Sequence, residues 1–87
     1  MIHVSFKPTF IRQFNVLEGD LQGEVVEKIE LFKDRKNHKQ LKIHKLKGRL
    51  AGRYSFSVNY QIRIVFIYGQ KDEAILLAIG SHDVYRS

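Results

Sequence analysis

Three strand-like stretches follow one another in the second half of the chain, RYSFSVN (53–59), IRIVFIY (62–68) and AILLAI (74–79), separated by turn-sized gaps. Such a run folds most simply as an antiparallel meander, because short turns lay consecutive strands side by side. Gly69 to Asp72 supplies one of the turns, and Gly80 ends the last strand. In the first stretch, alternation sends Tyr54, Phe56 and Val58 one way and Arg53, Ser55, Ser57 and Asn59 the other, which predicts one packed face and one open, polar face. In the second, Ile62, Ile64, Phe66 and Tyr68 oppose Arg63, Val65 and Ile67, and Arg63 is the strand's only charge. A ligand has room on the open face.

The first half adds one strand and two helices. Ile2, Val4 and Phe6 alternate with His3 and Ser5, and Pro8 ends this strand and opens a helix. Phe10, Phe14 and Leu17 keep helical spacing until Gly19. Asp20 is then placed to cap a second helix whose apolar stripe is Leu21, Val25, Ile29 and Phe32. The expectation is an α+β fold: one domain over residues 1–87, with an N-terminal strand, two helices and a three-stranded meander completing a four-stranded sheet. A chain of 87 residues supports one core only, since at this size roughly 60 to 65% of the unfolded surface is buried. Neither a long apolar run nor a signal-peptide pattern is visible, and there is no Cys, so a cytoplasmic protein without disulfides, thiolate chemistry or thiolate-held zinc is expected.

Charge narrows the function. The net charge is +6, and nine cations lie between Lys33 and Arg53: Lys33, Arg35, Lys36, Lys39, Lys42, Lys45, Lys47, Arg49 and Arg53, against the single acid Asp34. Glu18, Asp20, Glu24, Glu27 and Glu30 precede this block. Charge runs are usually solvated surface, but this density with His38 and His44 interleaved favours a region that binds phosphates.

Four residues carry candidate chemistry. Arg63 on an apolar strand is on base rates a snorkelling or carboxylate-paired side chain; beside the polar face of Arg53, Ser55 and Ser57 it suits a phosphate instead. Ser81, His82 and Asp83 cannot form a hydrolase triad, because consecutive extended residues point apart. His82 alone, just past a strand end with Tyr85 and Arg86 close behind, can still transfer protons near neutral pH. His44 sits in the basic block with the same capacity. His3 and His38 read as structural or solvated, and four scattered His give no metal signature, so no cofactor is expected.

The element order, together with HKLKG, QIRIVF and GSHDVYR, resembles the RelE/ParE superfamily of bacterial type II toxins, and most specifically its RelE-type mRNA interferases. The resemblance implies a RelE-like fold, ribosome-dependent mRNA cleavage that inhibits translation, and a cognate antitoxin that masks the basic cleft in a higher-order complex. By this resemblance Arg63 matches the scissile-phosphate arginine of YRLVY-like strands, and His82 the general acid of GTH endings in the YafQ-like branch. Tyr85 matches the RNA-orienting tyrosine of EVY endings, and His44 the histidine of an HxLxG segment. Ser55 and Ser57 stand where RelE has two lysines, and Ser57 also replaces a YafQ-type histidine, so the resemblance assigns no general base; His44 is the candidate, with Lys45, Lys47 and Arg53 as electrostatic support. Lys42, Lys45, Lys47, Arg49, Arg53, Ser55, Ser57 and Arg86 complete the expected RNA surface. Two readings of other classes remain: a ParE-like gyrase poison on the same fold, and a non-catalytic RNA-binding module.

Overall fold

The computed structural model describes residues 1–81, 84 and 85. Strand β1 (His3–Phe6) leads through Lys7 into helix α1 (Pro8–Asn15), where proline occupies the first turn and forfeits only a hydrogen bond that no helix start can make. Helix α2 (Gly19–Phe32) follows. Its N-cap is Glu18, with no side-chain cap bond, and Asp20 lies inside the first turn. The expected Asp20 cap is therefore corrected: its carboxylate favours the helix start through the positive end of the helix dipole instead. The chain then runs through short 3-10 turns at Arg35–Asn37 and Gly48–Leu50 and through strands β2 (His44–Lys45), β3 (Tyr54–Ser57), β4 (Arg63–Tyr68) and β5 (Glu73–Gly80).

Among the described residues the strands make one five-stranded sheet in the order β1-β5-β4-β3-β2. The α+β class and the meander are as expected; the strand count is corrected from four to five. The extra strand, β2, is two residues long, too short to carry an alternation that could reveal it. It pairs His44 with Ser55 and Lys45 with Tyr54. β1 runs parallel to β5, a pairing that requires the long crossover the two helices provide.

Both helices cover one sheet face. Phe10, Val25, Ile29 and Phe32 bury themselves against Phe56, Ile64, Phe66, Ala74, Leu76 and Ile79. Phe32 is the centre of this core, stacked on Phe56 at 4.6 Å and edge-on to Phe66 at 4.8 Å. Each such ring contributes on the order of 1.5 to 3 kcal/mol by leaving water.

Neither α1 nor α2 covers the opposite face. It carries a small apolar cluster of Val65, Ala78 and Val84, flanked by Leu46, Leu77 and Tyr85. A β-bulge shapes it: Val65 pairs with Ala78 but Phe66 pairs with Leu76, leaving Leu77 unmatched. Leu77 and Ala78 therefore both contribute to this face, and the sheet bends beneath the site.

Candidate functional site

The register of β2 against β3 sets His44 over Ser55. Lys42 turns the chain with a positive φ of 58°, and its carbonyl lies 3.3 Å from His44 Nδ1. A carbonyl can only accept, so in the neutral ring Nδ1 holds the proton and Nε2 presents a lone pair. That lone pair faces Ser55 Oγ at 3.4 Å. From the other side the Tyr85 hydroxyl donates to the same Oγ at 3.2 Å. His44 and Tyr85, far apart in sequence, thus meet over one serine.

Ser55 itself is fully buried at 0% exposure. The sequence placed it on an open polar face as an RNA contact; the correction is that His44 and Tyr85 cover it, and it touches them instead of solvent. Ser57, the next residue on the same side of β3, remains half-exposed and pairs with Arg63 across the sheet. The His44 and Arg63 rungs are two residues apart along β3, but β2 and β4 flank β3 on opposite sides, so the two backbone positions lie roughly 12 Å apart and only the long Arg63 side chain can reach toward the same substrate.

Arg63 is held from below. Its Nη1 donates to the carbonyl of Asn59 at 2.6 Å and to that of Ile62 at 3.3 Å. The turn that offers these carbonyls is closed by Asn59, whose Oδ1 accepts from the Gln61 and Ile62 amides at 2.8 and 2.9 Å while its Nδ2 donates to Glu24 Oε1 at 2.8 Å. Among the described residues no carboxylate is ion-paired with Arg63. A guanidinium has five N–H donors, so one edge is anchored while others can meet an anion.

The basic block divides in space. Lys33 pairs with Glu30 at 2.7 Å, Arg35 with Asp72 at 3.3 Å, and Lys36 with Asp34 at 3.6 Å, so its upstream part is internally neutralised. Arg35 also lies 5.9 Å from the centre of the Tyr68 ring. Burial pushes the Tyr68 phenol above its ordinary 10.0, with the Arg35 charge opposing and Tyr54 adding to the rise. The downstream part lines an open groove of about 580 Å³ formed by His44, Lys45, Leu46, Lys47, Arg49, Leu50 and Tyr85. A second hollow of about 330 Å³ on the same face joins Arg53 and Val65 to Lys7, Pro8 and Thr9. Lys7 is a cation of this face that sequence reasoning missed, because only the pairing of β1 with β5 carries it there.

The remaining candidates separate cleanly. His82 and Arg86 lie outside the described residues. His38 is structural, as expected: its Nε2 donates to the Phe32 carbonyl at 2.8 Å and its ring stacks on Phe32. His3 is exposed on β1. Among the described residues no three His, Asp or Glu side chains are grouped to share a metal ion. A larger hollow, about 680 Å³, is lined by Glu18, Asp20, Glu24 and Glu27 and would repel a phosphate.

No protein-family model and no curated protein matches this sequence. Solved structures do. A conserved hypothetical protein of Helicobacter pylori is 25% identical, with 98% of this chain and 99% of that chain aligned at a TM-score of 0.71. YoeB in the heterotetrameric YoeB-YefM toxin-antitoxin complex of Staphylococcus aureus is 18% identical over 94% of this chain and 98% of that one, at 0.71. A YafQ mutant from E. coli aligns over 100% of both chains at 0.75 with 12% identity. The chain has the fold of these YoeB and YafQ structures. On that scaffold the sheet face opposite α1 and α2 carries His44, Ser55, Tyr85 and Arg63. Among the described residues, no helix is long and apolar enough to cross a membrane.

Proposed function

We propose that the protein is the toxin of a type II toxin-antitoxin pair and that it cuts mRNA on the ribosome by metal-free acid-base chemistry. The observation that carries this reading is the meeting of His44 and Tyr85 over Ser55, on a face that also holds Arg63 and a cationic groove. In the reaction the 2′-oxygen bonds to phosphorus as its proton passes to His44 Nε2. The bond from phosphorus to the 5′-oxygen breaks, and that oxygen takes a proton. His82 is the proposed acid, from the sequence resemblance. Arg63 neutralises the nonbridging oxygens, whose charge grows in the phosphorane, and this differential attraction is what accelerates the step. The Tyr85 ring orients the RNA by stacking. Lys45, Lys47, Arg49, Arg53 and Lys7 supply phosphate affinity without sequence information.

The RelE/ParE relatives include YoeB in a toxin-antitoxin complex, and a cognate antitoxin is proposed for this chain too. An acidic, partly disordered partner would compete with RNA for the groove.

A cell-free translation reaction tests the reading. Messages should be cut only when ribosome-bound, leaving a 2′,3′-cyclic phosphate and a 5′-hydroxyl. A 5′-phosphate with a free 3′-hydroxyl would mean a metal-activated water and overturn the chemistry. Intact mRNA with inhibited DNA supercoiling would replace it with gyrase poisoning.

A further inference from the structure

We infer that Ser55 is a positioning residue that holds the His44 imidazole and the Tyr85 phenol as one directed hydrogen-bonded unit. This rests on the reading that His44 and Tyr85 act on RNA, but the geometry behind it is independent of any substrate. Ser55 lies on β3 directly across from His44, and its hydroxyl is within reach of both neighbours. A hydroxyl has one proton to give. The Lys42 carbonyl can accept only from a protonated His44 Nδ1, and the Ser55 hydroxyl adds to that bias by offering its proton to Nε2, so the two contacts together favour the Nδ1–H ring. The Ser55 oxygen is then left to accept from Tyr85, and the chain of donors runs from Tyr85 through Ser55 to His44.

The distances, 3.4 and 3.2 Å, are longer than the roughly 2.5 to 3.0 Å usual for a hydroxyl donor. Each contact therefore orients without binding tightly, and a 2′-hydroxyl can displace Ser55 at Nε2 at little cost. Burial makes the arrangement durable: at 0% exposure no water competes for the Ser55 oxygen. A lysine at this position, as in the RelE pattern, would add charge at the site. The serine instead adds none and aims the groups beside it.

The test reads the His44 ring in the free protein by nitrogen-detected NMR, with cleavage as a separate measurement. In the neutral ring of the wild type the proton should sit mainly on Nδ1, the reverse of a free histidine in water. Ser55→Ala should move the population toward Nε2–H while circular dichroism stays native, and Ser55→Thr, which keeps the hydroxyl, should restore it. A wild-type ring protonated mainly on Nε2 would overturn the inference whether or not the variants fold. So would a Ser55→Ala ring with the wild-type tautomer, since the Lys42 carbonyl alone would then set it. In single-turnover cleavage Ser55→Ala should be slower on the order of 10-fold to 100-fold with substrate affinity retained, as expected for misorientation. If the tautomer responds as stated and no protein form cleaves mRNA, the positioning role stands and the nuclease reading falls.

Discussion

At the residue scale, the demands on Arg63 are the most specific. It holds two turn carbonyls, and the proposed function asks it also to present donors to a phosphate, which a planar fork can do and an ammonium cannot. Arg63→Ala should lose mRNA cleavage by about 10²-fold or more. Arg63→Lys should recover little of it despite keeping the charge; a lysine variant with near wild-type rates would reduce the role of Arg63 to simple electrostatics. Tyr85 separates stacking from hydrogen bonding. Tyr85→Phe keeps the ring packed in the Val65 cluster and should be milder than Tyr85→Ala, in the same cleavage assay. Arg63, Tyr85 and His44 stand out in the sequence as candidates because charged or titratable groups beside a polar face and in short motifs contrast with an apolar pattern. The burial of Ser55 was not legible there, since what covers it comes from β2 and from the segment after β5, and alternation within β3 reports only which side a residue faces. Lys7 was invisible for a similar reason: its neighbours on the site face are mostly remote in sequence.

At the element scale, the turn between β3 and β4 links the core to the site. Asn59 ties it to α2 through Glu24, closes it through two backbone amides and offers its carbonyl to Arg63. Asn59→Ala should cost about 1 to 3 kcal/mol in urea unfolding, by stranding amides and releasing the turn, and should lower cleavage further than that loss of stability explains. An unchanged rate in folded protein would mean that Arg63 does not need the turn to hold it. The Tyr68 phenol offers a pH signature. Its folded pKa is raised, so the stability it contributes is complete below the unfolded value of 10.0 and falls as pH rises through the folded one. As pH rises above 10.0 the wild type should therefore lose ground to Tyr68→Phe in urea midpoint, whereas a constant gap would contradict the raised pKa. The helices and long strands were readable because periodicity needs several turns or alternations to declare itself. β2 and the Leu77 bulge escaped because neither spans enough residues to do so.

At the scale of the whole molecule, the charges form two poles. Glu18, Asp20, Glu24 and Glu27 line one hollow, and the cationic groove lies on the sheet face opposite α1 and α2. Binding of a short single-stranded RNA should weaken with salt. Replacing both Lys47 and Arg53 by Gln should flatten the log-log slope by about 1.4, because each phosphate left unneutralised removes roughly 0.7 from it. No change in slope would place the RNA elsewhere. The order of strands in the sheet has a further consequence, one of timing. β5 follows every other strand in the sequence, yet it lies between β1 and β4, joining His3 to Glu73 on one side and Arg63 to Gly80 on the other. Until β5 is available, β1 has no neighbour, β4 has an open edge, and Val65 lacks the partners that build the site face. Contacts so distant along the chain close late in folding. A nascent copy still short of β5 therefore cannot assemble this face of the sheet, and the candidate site stays unformed until that last strand has docked.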